Sequence, residues 1–224
     1  MPETPTCKSI TLPRIDSLDT LTTADDIIAC MDDKGVRGQI ASVGWPDAFP
    51  YRPMASFAAA YSARAIYVDF LVRCNYLRAE CYTDGGPVSS DSCVEIFLEP
   101  HPGGEYWNFE FNCIGTANCS HRLTRPNPTR LTTDELARIR RYPSCGQRPF
   151  RELEGLFTWN LLTVIPLDLM GLDADNLPDK IRGNLYKCAS ATSEPHYLSW
   201  NPIFTNRPDF HRPEFFGDIY FQKT

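Results

Sequence analysis

The sequence predicts an all-β protein: a single antiparallel β-sandwich of jelly-roll type with short helical insertions. The first observation is period-two alternation. In Asp91-Ser-Cys-Val-Glu-Ile-Phe-Leu98, Val94, Ile96 and Leu98 fall on one side, with Cys93, Glu95, Phe97 and Glu99 on the other. In Tyr106-Trp-Asn-Phe-Glu-Phe-Asn112, Trp107, Phe109 and Phe111 oppose Asn108, Glu110 and Asn112. Alternation in β-branched and aromatic residues is the mark of half-buried antiparallel strands. The second is punctuation: 19 prolines and 13 glycines stand largely between short apolar runs, which favours many turns over a helical bundle. The third is size. A chain of 224 residues with 42% hydrophobic content can bury one large core and shows no linker that would force a domain boundary.

Residues 1–20 read as an irregular lead-in, with prolines at 2, 5 and 13. Thr22-Thr-Ala-Asp25-Asp26 then opens a short helix, because a threonine cap and first-turn acids satisfy free amides and complement the helix dipole. Ile27, Ile28 and Met31 give it an apolar face, and Gly35 is a natural stop. Residues 1–35 are thus a lead-in and helix packed on a domain of residues 36–224.

Val36 to Val43 reads as a strand. Trp45 to Pro53 cannot be regular structure, since three prolines remove amide donors. Phe57 to Tyr61 reads as the next strand, followed by Ala65 to Arg73, where Ile66, Val68, Phe70 and Val72 face inward and Asp69 and Arg73 outward. Leu77 to Tyr82 continues the sheet and Asp84-Gly-Gly-Pro87 turns it. His101-Pro-Gly-Gly104 is turn chemistry that makes a hairpin of the two opening strands. Ile114 to Leu123 adds another strand. Thr132-x-x-Glu135 is a capping box for a helix to about Tyr142. It sits in an arginine-rich stretch over 124–152 that reads as a surface excursion or as a cationic lip for an acidic ligand. Phe157 to Ile165, Asn184 to Cys188 and Phe215 to Phe221 complete the strands.

A net charge of −6 disfavours general nucleic-acid binding, which needs clustered Lys and Arg. No apolar run is long enough to span a bilayer. The start, Met1 to Cys7, lacks the basic and apolar regions of a secretory signal, which suits either a cytoplasmic protein or a mature exported form. Nine cysteines are an odd set without dense spacing and read as mostly reduced and structural. Cys113, Cys119 and His121 lack the paired spacing of a zinc site.

The polar face of the central hairpin can bind hydroxyl groups. With the turn centred between Pro102 and Gly103, Glu95 falls near Glu110 across the strands. Directly opposed like charges destabilise a sheet, so an arginine such as Arg73 or Arg78, a metal ion or a ligand's donors must compensate. The same two carboxylates are the only defensible pair for a glycan hydrolase, because Asp91 and Glu95 stand about 13 Å apart by strand rise. His211 reads as a hydrogen-bonding fastener rather than a base.

Asn184-Leu-Tyr-Lys-Cys188, His196-Tyr-Leu-Ser-Trp-Asn-Pro-Ile203 and Pro208 to Phe221, taken with Asp91-Ser-Cys-Val-Glu95 and Asn108 to Asn112, resemble the family 9 carbohydrate-binding modules, in particular the free-standing family 9-like proteins of gut Bacteroidetes. The resemblance runs from about Val36 to the C-terminus. It implies a β-sandwich that holds a sugar without cleaving it, structural calcium, and two aromatics clamping a sugar ring. By the same likeness Trp200 would be one clamp, Glu95 would bind the hydroxyls and Asn112 would assist, with Asn108 and Glu110 on the same face. Relatives carry the second aromatic just before the Asp-x-x-x-Glu element, where this chain has Ser89 and Ser90. Tyr82, Trp107 or Trp45 could take its place, or the chain is a scaffold module that no longer binds sugar.

Overall fold

The computed structural model describes residues 7–223. In chain order the elements begin with β1 (Ser9–Leu12), α1 (Ala24–Lys34), β2 (Val36–Gln39), β3 (Ser42–Val43), β4 (Met54–Tyr61) and β5 (Ala65–Ala79). The central strands are β6 (Cys93–Glu99), β7 (Tyr106–Asn112), β8 (Ala117–Arg122) and β9 (Thr129–Arg130). Then come α2 (Thr133–Arg138), β10 (Arg140–Pro143), β11 (Phe150–Pro166), β12 (Lys180–Ala189), β13 (His196–Ser199) and β14 (Gly217–Phe221).

Two sheets form the expected sandwich. The larger runs β1-β14-β12-β6-β7-β8-β9, with β13 also on β12 and β3 on β13; the smaller runs β10-β11-β5-β4-β2. Val94, Ile96, Leu98, Phe109 and Phe111 of the larger sheet share one core with Phe57, Val68, Phe70 and Leu161 of the smaller. Each large apolar side chain so buried stabilises the fold by about 1.5–3 kcal/mol.

The helix α1 forms as its sequence dictates. The Thr23 hydroxyl accepts the Asp26 amide, and Gly35 donates its N–H to Met31 as the chain leaves. Ile27 and Met31 are buried against Ala58, Ala60, Tyr67 and Leu162 on the outer face of the smaller sheet. The helix α2 has both arms of the capping box on Thr132 and Glu135.

Several elements differ from expectation. The lead-in is not wholly irregular: Ser9–Leu12 adds a parallel edge strand to β14, while the reading of Met1 to Thr6 lies outside the described residues. Val36 to Val43 is two strands in different sheets, β2 on β4 and β3 on β13. The two runs read around residue 75 are one strand, β5, because β11 pairs along its whole length. The helix α2 stops at Arg138, since Ile139 turns into the core and Arg140–Pro143 pairs with β11.

The largest difference concerns the central hairpin. Every residue of β6 is buried, not alternate ones. The segment from Ile203 to Phe216 folds back over the outer face of the larger sheet, where Ile203, Phe210 and Phe216 pack with Trp45, Phe97 and Tyr186. No helix among the described residues is long and apolar enough to cross a membrane.

Candidate functional site

Strand pleating sets two rows of side chains on the covered outer face. Registers align Glu110 with Glu95, and Glu95 with Tyr186; the next row holds Cys93, Cys188 and Tyr197. Where the covering segment leaves a gap, a hollow of about 140 Å³ opens. Glu95 and Glu110 line it from the sheet, Tyr197 and Phe210 supply aromatic surface, and Arg125 and Asp209 stand at its edge.

Glu95 and Glu110 are directly paired across β6 and β7, as the turn geometry requires. The compensation foreseen for them is not arginine pairing: among the described residues neither carboxylate forms an ion pair. Arg73 has no ion pair there, and Arg78 pairs with Glu80 and Asp91 instead. Glu110 accepts from Asn108 Nδ2 at 2.9 Å and Asn118 Nδ2 at 3.1 Å. Glu95 accepts only from thiols, Cys188 Sγ at 3.2 Å and Cys93 Sγ at 3.8 Å. Burial pushes both carboxyls above their ordinary range, and for Glu95 the neighbouring Cys188 and Glu110 add to it. Protonation relieves the repulsion that two opposed carboxylates would otherwise suffer.

The wall opposite is aromatic. Tyr197 is half-buried and meets Trp45 edge-on at 6.3 Å, while Trp45 donates its indole N–H to the Thr205 carbonyl. Phe210 stacks on Tyr186 at 4.1 Å. His211 also lines the hollow, and the Tyr106 hydroxyl lies 3.0 Å from its Nδ1. That contact ties the covering segment to β7, the fastening role expected of His211. Burial, with Arg122 and Arg125 nearby, lowers the His211 pKa to about 3, so its ring is neutral.

Other residues expected at the site lie elsewhere or are already engaged. Trp200 is only 5% exposed and belongs to the core between the sheets, edge-on to Phe57. Along His196–Trp200, Leu198 and Trp200 point inward while Tyr197 points out, so Trp200 and Glu95 stand on opposite faces of one sheet. Stacking of Trp200 on a sugar is therefore corrected. The alternation that assigns the strands also assigns Tyr197 to the outer face.

Asn112 is likewise spent inside the fold. Its amide donates to the Cys81 carbonyl and to Asp91, and its oxygen accepts the amides of Ile114 and Thr116. A direct ligand role for Asn112 is thus corrected to a turn clamp. Asn108 is fully buried, bridges Ser120 and Glu110, and positions the latter carboxylate. Trp107 stacks on His121 away from the hollow, and Tyr82 is 71% exposed and does not line it. Ser89 lines the hollow, as its place before β6 implies.

The arginine-rich stretch is largely structural. Arg138 pairs with Asp168 and Arg141 with Asp84; only Arg125 reaches the hollow, paired with Asp209 at 3.2 Å. Among the described residues, the one group of three convergent metal-binding side chains is Cys93, Glu95 and Cys188. Its sulfurs do not suit calcium, which takes six to eight oxygens.

The family model for carbohydrate-binding family 9 matches residues 25–221. The chain belongs to carbohydrate-binding family 9. A solved candidate carbohydrate-binding protein from Bacteroides uniformis is 30% identical to this module, with a TM-score of 0.87 over 97% of this chain and 100% of that one. A family 9 module from Caldicellulosiruptor kristjanssonii, solved with cellotriose, matches at 12% identity and TM-score 0.55 over 97% of this chain and 95% of that one. Its glucose complex matches at 13% identity and TM-score 0.54, over 97% of each chain. At such identity the two complexes speak for the shared sandwich alone. No similar protein is found among the curated proteins.

Proposed function

We propose that the module binds a glycan, without cleaving it, in the hollow over β6, β7, β12 and β13. One observation carries the reading: two buried carboxyl groups free of basic partners and a half-buried tyrosine converge on one gap in an otherwise covered face. Tyr197 offers a ring edge or face to the apolar side of a pyranose. Glu95 and Glu110 offer oxygens, or protons when neutral, to its hydroxyls. At 140 Å³ the hollow is below the roughly 300–1,000 Å³ of sites for drug-sized ligands, so it seats a single ring with the rest of a chain outside.

Cleavage does not suit this geometry. Glycosidases place their two carboxyl groups on either side of the scissile bond. Glu95 and Glu110 are neighbours on one wall. A neutral sugar is also favoured over a uronic or sulfated one. Glu95, Glu110 and Asp209 face the gap, and its one arginine, Arg125, is already paired with Asp209.

Isothermal titration with a panel of mono- and oligosaccharides tests this reading. Binding of at least one neutral sugar, lost in Glu110→Gln and in Tyr197→Ala, is the expected result. Silence with every sugar favours the scaffold reading, to which Ser89 in place of an aromatic already points. Release of reducing sugar that disappears in Glu95→Gln overturns the non-catalytic assignment.

A further inference from the structure

Cys93 and Cys188 stand directly opposite one another on β6 and β12. Glu95, two residues along β6, points to the same face. The two sulfurs and one carboxylate oxygen lie within 4.8 Å of one another, and all three residues are buried. We propose that Cys93, Cys188 and Glu95 form a binding site for a thiophilic divalent cation of the zinc type at the floor of the hollow.

The edges of the triangle carry the proposal. Tetrahedral zinc with bonds of about 2.3 Å to sulfur and about 2.1 Å to oxygen sets sulfur–oxygen edges of about 3.6 Å and a sulfur–sulfur edge of about 3.8 Å. The two sulfur–oxygen separations are 3.2 and 3.8 Å, which bracket that edge. All three ligand atoms are close enough for one cation to reach them together. Glu95 and Cys188 also line the hollow, so the fourth tetrahedral position faces it, open to water or a hydroxyl. Three protein ligands with one open position is a common zinc arrangement.

Binding moves up to three protons to solvent: two from sulfur and, where Glu95 is neutral, one from oxygen. The cation replaces them, with no change of oxidation state, so affinity rises with pH.

The test uses the full chain, stripped with chelator and kept reduced, and titrated with Co²⁺ alone. One equivalent should give the visible bands of tetrahedral cobalt with sulfur-to-cobalt charge transfer, and Zn²⁺ should abolish both. Cys93→Ser and Cys188→Ser should each remove most of the charge-transfer intensity, whereas Cys145→Ser should leave it intact. Glu95→Gln should weaken cobalt binding at least tenfold. No charge-transfer band in the wild type, or one that persists in the double serine variant, overturns the proposal. Should the serine variants fail to fold by circular dichroism, ¹¹³Cd resonance of the wild type decides: a sulfur-bound shift supports the site, an all-oxygen shift overturns it. A Cys93–Cys188 disulfide mapped by mass spectrometry in protein purified without reductant also overturns it. No sugar enters the experiment, so its outcome is separate from that of glycan binding.

Discussion

Glu95 and Glu110 stand in register on neighbouring strands, both less than a tenth exposed, yet they are held by different chemistry. Glu110 is gripped by two carboxamides, Asn108 and Asn118, whereas Glu95 meets only thiols. The sheet forces two acids together, and their surroundings hold them differently. Glu110 is fixed in orientation by these two bonds. Glu95, with only the thiols of Cys93 and Cys188 as partners, is the less constrained of the two.

The two aromatic residues near the end of β13 should separate cleanly on mutation. Trp200→Ala empties a core position and should cost about 3–5 kcal/mol in urea unfolding. The sugar affinity of the protein that remains folded should hold. Tyr197→Ala should do the reverse, weakening sugar binding at least tenfold with a much smaller loss of stability. Equal loss of affinity in both variants contradicts the assignment of opposite faces.

Gly217 is required by Trp200. A Cβ there would lie 2.5 Å from Trp200 Cζ3 and 2.7 Å from the Lys8 carbonyl oxygen. The indole is wedged in the core and the carbonyl belongs to backbone at the start of β1, so neither yields freely. Gly217→Ala should therefore destabilise by about 1–3 kcal/mol, the usual cost of overpacking. Thermal unfolding of the two proteins checks it; an unchanged midpoint counts against this packing.

Asp69 should control stability on the alkaline side. It is 8% exposed, and burial raises its pKa to about 6, against 3.8 for the free side chain, with the Asn160 hydrogen bond opposing the rise. Because the folded state holds this proton more tightly, its contribution is full below the unfolded value and is lost as pH rises through about 6. The size is on the order of 3 kcal/mol. Asp69→Asn should be the more stable protein at pH 8, and the advantage should shrink towards pH 4. Urea midpoints at the two pH values measure it.

His211 acts in the opposite sense. Its pKa near 3 lies below the ordinary 6.5, so the unfolded chain binds the proton more readily. Stability is full above 6.5 and falls as the pH drops towards 3. His211→Gln, which cannot take the proton, should gain on the wild type as the pH falls from 7 to 4. A constant difference between the two proteins across that range indicates a protonated ring in the fold.

Much of the architecture is legible in the chain. Period-two alternation fixes the strands and their inner faces. Cap chemistry fixes the starts of both helices, and the Pro-Gly-Gly turn fixes the pairing of Glu95 with Glu110. These features survive because they rest on neighbours a few residues apart. The same local rule points Tyr197 outward and Trp200 inward, against a clamp role for the indole.

The order of residues along the chain is thus enough for the sandwich, its family and the acidic face of the central hairpin. The tertiary structure decided which side chains meet in the hollow. Cys93 and Cys188 lie far apart in the chain, and only the pairing of β6 with β12 makes them neighbours of Glu95. The covering of that face by the Ile203 to Phe216 segment is also a long-range event. Local preference cannot encode it, because its driving force is the burial of Ile203, Phe210 and Phe216 against a sheet built from distant strands.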